Sequence, residues 1–144
     1  MFGGTLMIQE LQGNVLEHIT SNSPVAHCVS ADYALGAGVA RLIDNKYHVR
    51  EVLIHIGTHT YPDCIKVGNV LNIVTKQYYW CKPTYQTFIG GLEKLREVCK
   101  EQGITRIVMP RIGSGLDRLD WNICKKCIQE ILVDSNIQVT VYYL

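Results

Sequence analysis

Residues 106–121 read RIVMPRIGSGLDRLDW, and this stretch decides the fold class. It opens with four residues of a short apolar strand that runs into Pro110. A loop containing Gly113 and Gly115 follows, and Asp120 is suited to cap the helix that comes next. Glycines after a strand let backbone N–H groups approach phosphate oxygens closely, and a helix N-terminus favours anions. A strand, a glycine loop and a helix in this order predict an α/β protein with an anion site in the loop.

A carboxylate lies in the same loop. Asp117 follows the glycines by two residues, and Arg118 comes next. Like charges repel, so a carboxylate beside an anion site does not serve affinity. Asp117 is therefore a candidate for chemistry, either held in an ion pair by Arg118 or beside a surface arginine.

The rest of the chain alternates between strand and helix patterns. We predict strands over 5–11, 25–29, 64–67, 69–75, 106–109 and 137–143, and helices over 36–47, 49–56, 84–103 and after Asp120. Gly13 interrupts the first strand, and the apolar pattern resumes at Val15 and Leu16. Gly68 lies between two strands of a predicted hairpin. The pattern predicts a layered α/β fold with a mixed sheet, whose ligands bind at the carboxyl ends of strands.

The longest predicted helix has one apolar stripe. Phe88, Leu92, Leu95 and Cys99 follow one another at helical spacing, and Gly103 is suited to end the helix. The 144 residues are expected to form one domain, residues 1–144.

The composition excludes several classes of protein. Apolar residues make up 47% and charged residues 19%, with a net charge of +1, so no global field attracts nucleic acid. No apolar run is long enough to span a membrane, and no signal peptide is recognisable. We therefore expect a protein of the cytoplasm or nucleus.

Six cysteines are expected to be reduced in such a compartment. Cys124 and Cys127 form a lone C-x-x-C pair, for which helix packing is favoured over zinc or redox use. His55 and His59 have a ligand-like spacing, but Gly57 interrupts it. No metal site is expected.

A second glycine loop follows the 25–29 strand. Gly36-Ala37-Gly38 lies between that strand and a helix, which suits a phosphate but also plain turn packing. Two such loops after two strands together predict a diphosphate held from both sides.

Lys76 ends the strand over 69–75. One interpretation is a solvated lysine at the end of a strand. The other is an amine nucleophile, because partial burial and cationic neighbours can supply a free amine.

Several motifs together resemble a known family: HCVSADYALGAGVA (27–40), NIVTK (72–76), KPTY (82–85), MPRIGSGLDRLDW (109–121) and VTVYYL (139–144). They are similar to the macrodomain family and, within it, to the terminal ADP-ribose protein glycohydrolases, also described as O-acyl-ADP-ribose deacylases. The resemblance covers about residues 5–144. It implies a three-layer α/β/α sandwich with a mixed central sheet, and it implies no cofactor.

The resemblance also implies an activity. A hydrolase of this branch removes mono- or terminal ADP-ribose from glutamate and aspartate side chains and deacylates O-acyl-ADP-ribose. Lys76 would attack the distal ribose to form a covalent adduct, and Asp117 would help to resolve it. The implied ADP-ribose ligands are Asn14, Ser30, Gly36, Ala37, Gly38, Val39, Pro110, Arg111, Ile112, Gly113, Ser114, Gly115, Leu116 and Leu144.

The chain departs from the family at one position. Many macrodomains have Gly-Asp after the first strand, and that aspartate accepts a hydrogen bond from the adenine amino group. This chain has Gly13-Asn14. The Asn14 oxygen can still accept, but without charge assistance, so weaker discrimination for adenine is expected.

The resemblance names ADP-ribose and mono- or poly-ADP-ribosylated proteins as partners of an expected monomer, with ADP-ribosylated nucleic acid allowed and no membrane. It also suggests a role in protein de-ADP-ribosylation and the DNA damage response. The first alternative function is a non-catalytic reader that binds ADP-ribose. A phosphatase for ADP-ribose 1″-phosphate is a third hypothesis, and it needs no nucleophilic lysine.

Other side chains have structural interpretations. His27 is expected to be a satisfied core histidine, and Trp121 and Tyr85 to be core or rim aromatics. Tyr142 and Tyr143 end a strand that could line an adenine pocket or only pack in the sheet.

Overall fold

The computed structural model describes residues 8–144. Its elements are β1 Ile8–Gln12, a 3-10 helix Val15–His18, β2 Val25–Ser30, α1 Gly38–Tyr47, α2 Val49–Ile56, β3 Asp63–Val67, β4 Val70–Lys76, α3 Tyr85–Gln102, β5 Arg106–Met109, α4 Trp121–Leu132 and β6 Gln138–Tyr143. The first three residues of the strand predicted over 5–11 lie outside the described residues. The other predicted elements are confirmed to within a few residues.

The six strands form one mixed sheet in the order β1-β6-β5-β2-β4-β3. Every pair is parallel except β3 with β4, which is the predicted hairpin around Gly68. Five strands therefore share one direction, and their carboxyl ends lie on the same edge of the sheet.

Helices cover both faces of the sheet. On one face, α3 and α4 pack over strand residues such as Leu71 and Ile107. On the other face, α1, α2 and the 3-10 helix pack over residues such as Val29 and Val74. Successive residues of each strand point to opposite faces of the pleated sheet, so strands β2 to β6 contribute to the hydrophobic cores on both faces. The arrangement confirms the three-layer α/β/α sandwich.

Helix α3 forms as its sequence predicts. Thr84 accepts a hydrogen bond from the Thr87 backbone N–H at 3.0 Å and caps the first turn. Gly103 ends the helix in a left-handed conformation, with φ of 67°. The predicted stripe is buried against the sheet: Phe88, Leu92, Leu95 and Cys99.

Two predicted boundaries are wrong. The apolar pattern that resumes after Gly13 is a 3-10 helix rather than strand, because the Asn14 side chain accepts from the Leu16 backbone N–H and turns the chain. Helix α1 begins at Gly38 rather than Gly36, and its N-cap Ala37 is extended. Gly36 and Ala37 therefore belong to the loop.

The residues weighed as metal ligands have other contacts. Cys124 and Cys127 are buried on the packed face of α4, and all six cysteines are free thiols. Helix α2 ends before Gly57, and the Nδ1–H of His59 donates to the Ala31 carbonyl at 2.6 Å. Within residues 8–144, no three His, Cys, Asp or Glu side chains are grouped to hold a metal ion. No helix in this range has the length and apolar character to cross a membrane.

His27 is buried in the middle of the sheet, as predicted, but only one of its ring nitrogens has a partner. Its Nε2–H donates to Asn72 Oδ1 at 2.6 Å, and Asn72 Nδ2 donates to the Ile65 carbonyl. Nδ1 has no hydrogen-bond partner among the described residues. Burial lowers the pKa of His27 from 6.5 to about 4, although the bond to Asn72 acts in the opposite direction.

This low pKa makes the stability depend on pH. Between pH 6.5 and about 4, the unfolded chain binds a proton at His27 that the folded chain does not. The free energy of unfolding should therefore fall by up to roughly 3 kcal/mol as the pH is lowered through this window, and be fully restored above it. Urea unfolding of wild type and His27→Gln at several pH values measures the difference.

The control for this experiment is Val25→Ala. Val25 is buried on the same strand and cannot titrate, so this variant should lose stability equally at every pH. An acid dependence in His27→Gln as steep as in wild type would show that another group is responsible.

Candidate active site

A cavity of about 870 Å³ opens at the edge where the five parallel strands end. The loops that leave β1, β2, β4 and β5 line it, together with the end of β6. This is the position where open α/β sheets bind ligands, and the volume suits a ligand the size of a dinucleotide.

Lys76 and Asp117 meet inside this cavity. Lys76 Nζ lies 2.6 Å from Asp117 Oδ1, and the two side chains are only 12% and 14% exposed. They come from different strand ends, β4 and the loop after β5. The Lys76 ammonium is thus held by a carboxylate in a largely desolvated place, where charge-assisted hydrogen bonds are strong.

An irregularity in the sheet turns Lys76 toward this place. Strands β2 and β4 keep a regular register up to the pair of Val29 with Val74, and the next pair is Ser30 with Lys76. Thr75 therefore has no partner on β2, and the end of β4 forms a β-bulge. Bulges re-aim the side chains that follow them. The bulge therefore sets the direction of Lys76.

The loop carrying Asp117 is fastened to the core beneath it. Ile112 and Leu119 are buried, and the Leu119 N–H donates to the Gly113 carbonyl at 2.8 Å. The Tyr85 hydroxyl accepts a hydrogen bond from the Asp120 N–H at 3.0 Å. Asp120 in turn caps α4. These bonds join the KPTY segment to the loop and hold Asp117 in place.

The two glycine loops touch above the cavity. Gly38, the first residue of α1, lies so close to Leu116 that an added Cβ would come within 3.0 Å of the Leu116 Cδ1 atom. Leu116 is itself 70% exposed. The loops predicted to hold a diphosphate from two sides therefore do face each other across one cavity.

The opposite end of the cavity is formed by the termini of β1 and β6. Asn14 lines it with Tyr142, Tyr143 and Leu144. The His18 ring stacks on Tyr142 with centroids 4.0 Å apart. One lone pair of Asn14 Oδ1 is already used by the Leu16 N–H at 3.1 Å, and an amide oxygen has a second.

Arg111 lies at the rim with its side chain turned away from the glycines. Its guanidinium is 4.4 Å from the centre of the Tyr143 ring, and its Nε is 3.4 Å from Glu10 Oε1. Lys125 and Trp121 also donate to this carboxylate. The hydrogen bond from Lys125 is the main reason why the pKa of Glu10 is lowered. The Arg111 side chain is thus held between Tyr143 and Glu10.

Cys28 is a second potential nucleophile in the cavity. It lies on β2 and lines the wall near the Lys76–Asp117 pair. Burial raises the pKa of its thiol well above the usual value, and the Asp117 carboxylate raises it further. A neutral thiol is a poor nucleophile. Lys76 is therefore the better candidate for covalent chemistry.

The structure brings all predicted site residues to the cavity: Asn14, Ser30, Gly36, Ala37, Gly38, Val39, Lys76, Pro110, Arg111, Ile112, Gly113, Ser114, Gly115, Leu116, Asp117 and Leu144. Tyr85 and Trp121 pack against the core beneath it instead. The Arg118 ion pair considered for Asp117 is not formed, because Asp117 bonds to Lys76 and Arg118 has a left-handed backbone with φ of 60°.

Two residues that hold Lys76 in place, directly or through a neighbour, lie outside the set predicted from the sequence. Tyr79 accepts a hydrogen bond from Lys76 Nζ through its carbonyl at 3.1 Å, and Asp32 accepts one from the Tyr79 N–H at 3.0 Å. The sequence Ser30-Ala31-Asp32 indicates a local turn. Nothing in the sequence indicates that Asp32 contacts Tyr79.

The chain is similar to known proteins in sequence and in fold. The chain is 36% identical over 123 residues to a protein named ADP-ribose glycohydrolase OARD1 from Homo sapiens, covering 83% of this chain and 81% of that protein. No protein-family model matches the chain.

Solved structures show the same fold. The macrodomain of Thermus aquaticus DarG superimposes with a TM-score of 0.81 at 21% identity, covering 96% of this chain and 99% of that one. Thermosipho africanus DarTG in complex with ADP-ribose gives 0.77 at 17% identity, covering 94% of this chain and 41% of that one.

Gly113 and Gly115 should respond differently to alanine. At Gly113, with φ of 80°, an added Cβ would lie 2.9 Å from the sulfur of Cys124 and 3.1 Å from a ring carbon of Phe88. Gly113→Ala should therefore lower the free energy of unfolding by at least about 2 kcal/mol. Gly115 has no neighbour within 4 Å of such a Cβ, so Gly115→Ala is the matched control. Denaturant unfolding compares the two, and equal losses would contradict the packing described.

Proposed function

This chain belongs to the macrodomain family, and we propose that it is an ADP-ribose hydrolase that works through Lys76 and Asp117. The observation that carries the proposal is the 2.6 Å contact between Lys76 Nζ and Asp117 Oδ1 inside the cavity. The named activity of the human relative supports the substrate class.

The cavity suits each part of ADP-ribose. Backbone N–H groups of the two glycine loops would bind the diphosphate, with Leu116 over it. The end lined by Asn14, Tyr142 and Leu144 would hold the adenine. The distal ribose would then lie toward Lys76, with its anomeric carbon within reach of the amine.

The first chemical step transfers the ribose to the enzyme. The Lys76 ammonium gives up a proton to Asp117, whose Oδ1 is already hydrogen-bonded to Nζ. The free amine attacks C1″ of the distal ribose and forms a C1″–N bond. The bond from C1″ to the modified side chain breaks, and its electron pair leaves with the carboxylate of glutamate or aspartate. Asp117 passes the proton from Lys76 to this departing carboxylate and is ionised again, while the positive charge stays on the adduct nitrogen.

The second step frees the enzyme. Asp117 orients a water molecule and takes a proton from it as the oxygen attacks C1″ of the adduct. The C1″–N bond breaks, its electron pair returns to the Lys76 nitrogen, and Asp117 gives the proton that it took from water to the freed amine. The same two steps would remove an acyl group carried on the anomeric oxygen in O-acyl-ADP-ribose.

The alternative functions use less of the site. A reader of ADP-ribose would need the glycine loops but would have no use for a largely buried Lys76–Asp117 pair. A phosphatase acting on ADP-ribose 1″-phosphate would likewise need no amine nucleophile. The pair therefore favours the hydrolase.

The remaining parts of the proposal concern the setting. We take residues 1–144 as one monomeric domain of the cytoplasm or nucleus that acts on mono- or poly-ADP-ribosylated proteins. ADP-ribosylated nucleic acid is a further candidate substrate, and repair of damaged DNA a candidate process.

Removing either member of the pair should abolish turnover. With a glutamate-linked mono-ADP-ribosyl peptide, Lys76→Ala should reduce kcat by about a thousandfold or more, because the nucleophile is gone. Asp117→Ala should reduce it by about a hundredfold or more. Release of ADP-ribose is measured by chromatography, and exposed Lys66 on β3, as Lys66→Ala, is the control lysine.

The adduct provides an independent readout. Asp117→Ala incubated with the peptide should accumulate ADP-ribose on Lys76, detectable by mass spectrometry of the digested protein. Unchanged turnover in Lys76→Ala would rule out the covalent mechanism, and an adduct on another residue would reassign the nucleophile. Binding of ADP-ribose without any turnover by wild type would favour the reader.

Asn14 should limit affinity for the adenine base. Asn14→Asp keeps the helix cap and adds charge to the bond with the adenine amino group, so the Kd for ADP-ribose should fall by roughly threefold to tenfold. Inosine diphosphate ribose lacks that amino group and should gain nothing. Calorimetry measures the Kd of both ligands for wild type and Asn14→Asp. An unchanged Kd for ADP-ribose would show that Asn14 does not contact the adenine.

A further inference from the structure

Asp32 lies just outside the cavity, in the turn after β2, and its carboxylate is fully engaged. Oδ1 accepts from the Ser30 hydroxyl at 2.5 Å and from the Ala34 N–H at 3.2 Å. Oδ2 accepts from the Tyr79 N–H at 3.0 Å. The first two bonds fix the turn to which Asp32 belongs, whereas the third reaches a different loop, 47 residues away in the sequence.

Tyr79 transmits this contact to Lys76. Its N–H is held by Asp32, and its carbonyl accepts from Lys76 Nζ at 3.1 Å. The Lys76 ammonium therefore has two anchors, the Asp117 carboxylate and the Tyr79 carbonyl. The tetrahedral Nζ atom has four positions. Its bond to Cε and its contacts with Asp117 and Tyr79 take three of them, so one position is left for the substrate.

The segment around Tyr79 has little else to hold it. The pairing of β2 with β4 continues only as far as the bond from the Asp32 N–H to the Gln77 carbonyl at 3.1 Å. The side chains of Tyr78, Tyr79 and Trp80 are exposed and stack on one another rather than on the core. Exposed segments with few buried contacts open easily. The Asp32–Tyr79 bond is thus well placed to control the segment.

We propose that Asp32 is a positioning residue that directs the Lys76 amine by fixing the Tyr79 carbonyl. This inference rests on the proposed function, because an amine needs a fixed direction only if it attacks. Asp117 can exchange protons with Lys76, but by itself it leaves the amine free to turn about the Nζ–Oδ1 contact. Asp32 removes that freedom without touching the substrate.

An aspartate is required because both carboxyl oxygens accept. The amide introduced by Asp32→Asn would have the same shape as the carboxylate, and its oxygen could still accept from Ser30 and Ala34. Its nitrogen, however, would face the Tyr79 N–H, and two donors cannot bond. Asp32→Asn therefore breaks the tie to Tyr79 and preserves the turn.

The matched control, Arg50→Ala, removes a different hydrogen bond to the turn that contains Asp32. Arg50 Nε donates to the Tyr33 carbonyl at 2.9 Å, and Arg50 is exposed and away from the cavity. Arg50→Ala should weaken the anchoring of the turn while leaving the tie from Asp32 to Tyr79 intact. A loss seen only in Asp32→Asn is then specific to that tie.

The kinetic test separates kcat from binding. With the glutamate-linked mono-ADP-ribosyl peptide, Asp32→Asn should lower kcat by about tenfold to a hundredfold, the effect of a misplaced reacting group. The Kd for ADP-ribose, measured by calorimetry, should stay within about twofold, because no ligand contact is lost. Arg50→Ala should keep both values. Unchanged kcat in Asp32→Asn, or equal losses of kcat and affinity, would overturn the inference.

A second readout does not depend on activity. Limited acylation with acetic anhydride, quantified by mass spectrometry, gives the labelling of Lys76 relative to exposed Lys66. Freeing the segment should raise this ratio at least about threefold in Asp32→Asn and leave it unchanged in Arg50→Ala. An unchanged ratio in Asp32→Asn would overturn the inference. Absence of turnover in wild type would refute the proposed function, while the labelling ratio would still decide the role of Asp32.

Discussion

The parallel alignment of five strands is the constraint on which the rest of this structure depends. Because β1, β6, β5, β2 and β4 run in one direction, the loops that leave them lie along a single edge of the sheet. Residues as distant in sequence as Asn14, Lys76 and Asp117 reach one cavity for this reason. The packed cores on both faces keep the edge in place, and the antiparallel β3 closes the sheet on the side of β4.

In the proposed function, different groups of this cavity provide affinity and chemistry. The glycine loops would offer backbone N–H groups, which can bind an anion although they carry no charge themselves. The charged groups Lys76 and Asp117 form a pair beside them, 12% and 14% exposed. Each would be costly to desolvate alone, and each relieves the cost of the other. The Asp117 carboxylate would repel a phosphate if it were alone. Paired with the Lys76 ammonium, it can lie beside a phosphate site.

The loops also differ in how firmly they are fixed. The loop containing Asp117 is anchored by buried Ile112 and Leu119 and by the Tyr85 hydroxyl below it. The segment after Lys76 presents its aromatic rings to solvent and is held by backbone bonds and by Asp32. The acidic partner of the pair thus belongs to the rigid part of the site. The amine partner depends on a contact between two loops.

Apolar periodicity and glycine placement were enough to predict the strands, helices and sheet class, because these features depend on neighbours a few residues apart. The family resemblance likewise named sixteen of the residues that line the cavity. The 3-10 turn after Asn14, the bulge beside Lys76 and the direction of Arg111 could not be read in this way. Contacts between residues 41 and 47 positions apart, from Lys76 to Asp117 and from Asp32 to Tyr79, exist only once the sheet is formed. The sequence by itself determined the two glycine loops and the Lys76 and Asp117 side chains. The tertiary structure decided their distances and directions, because those depend on the register of strands that are remote in the chain.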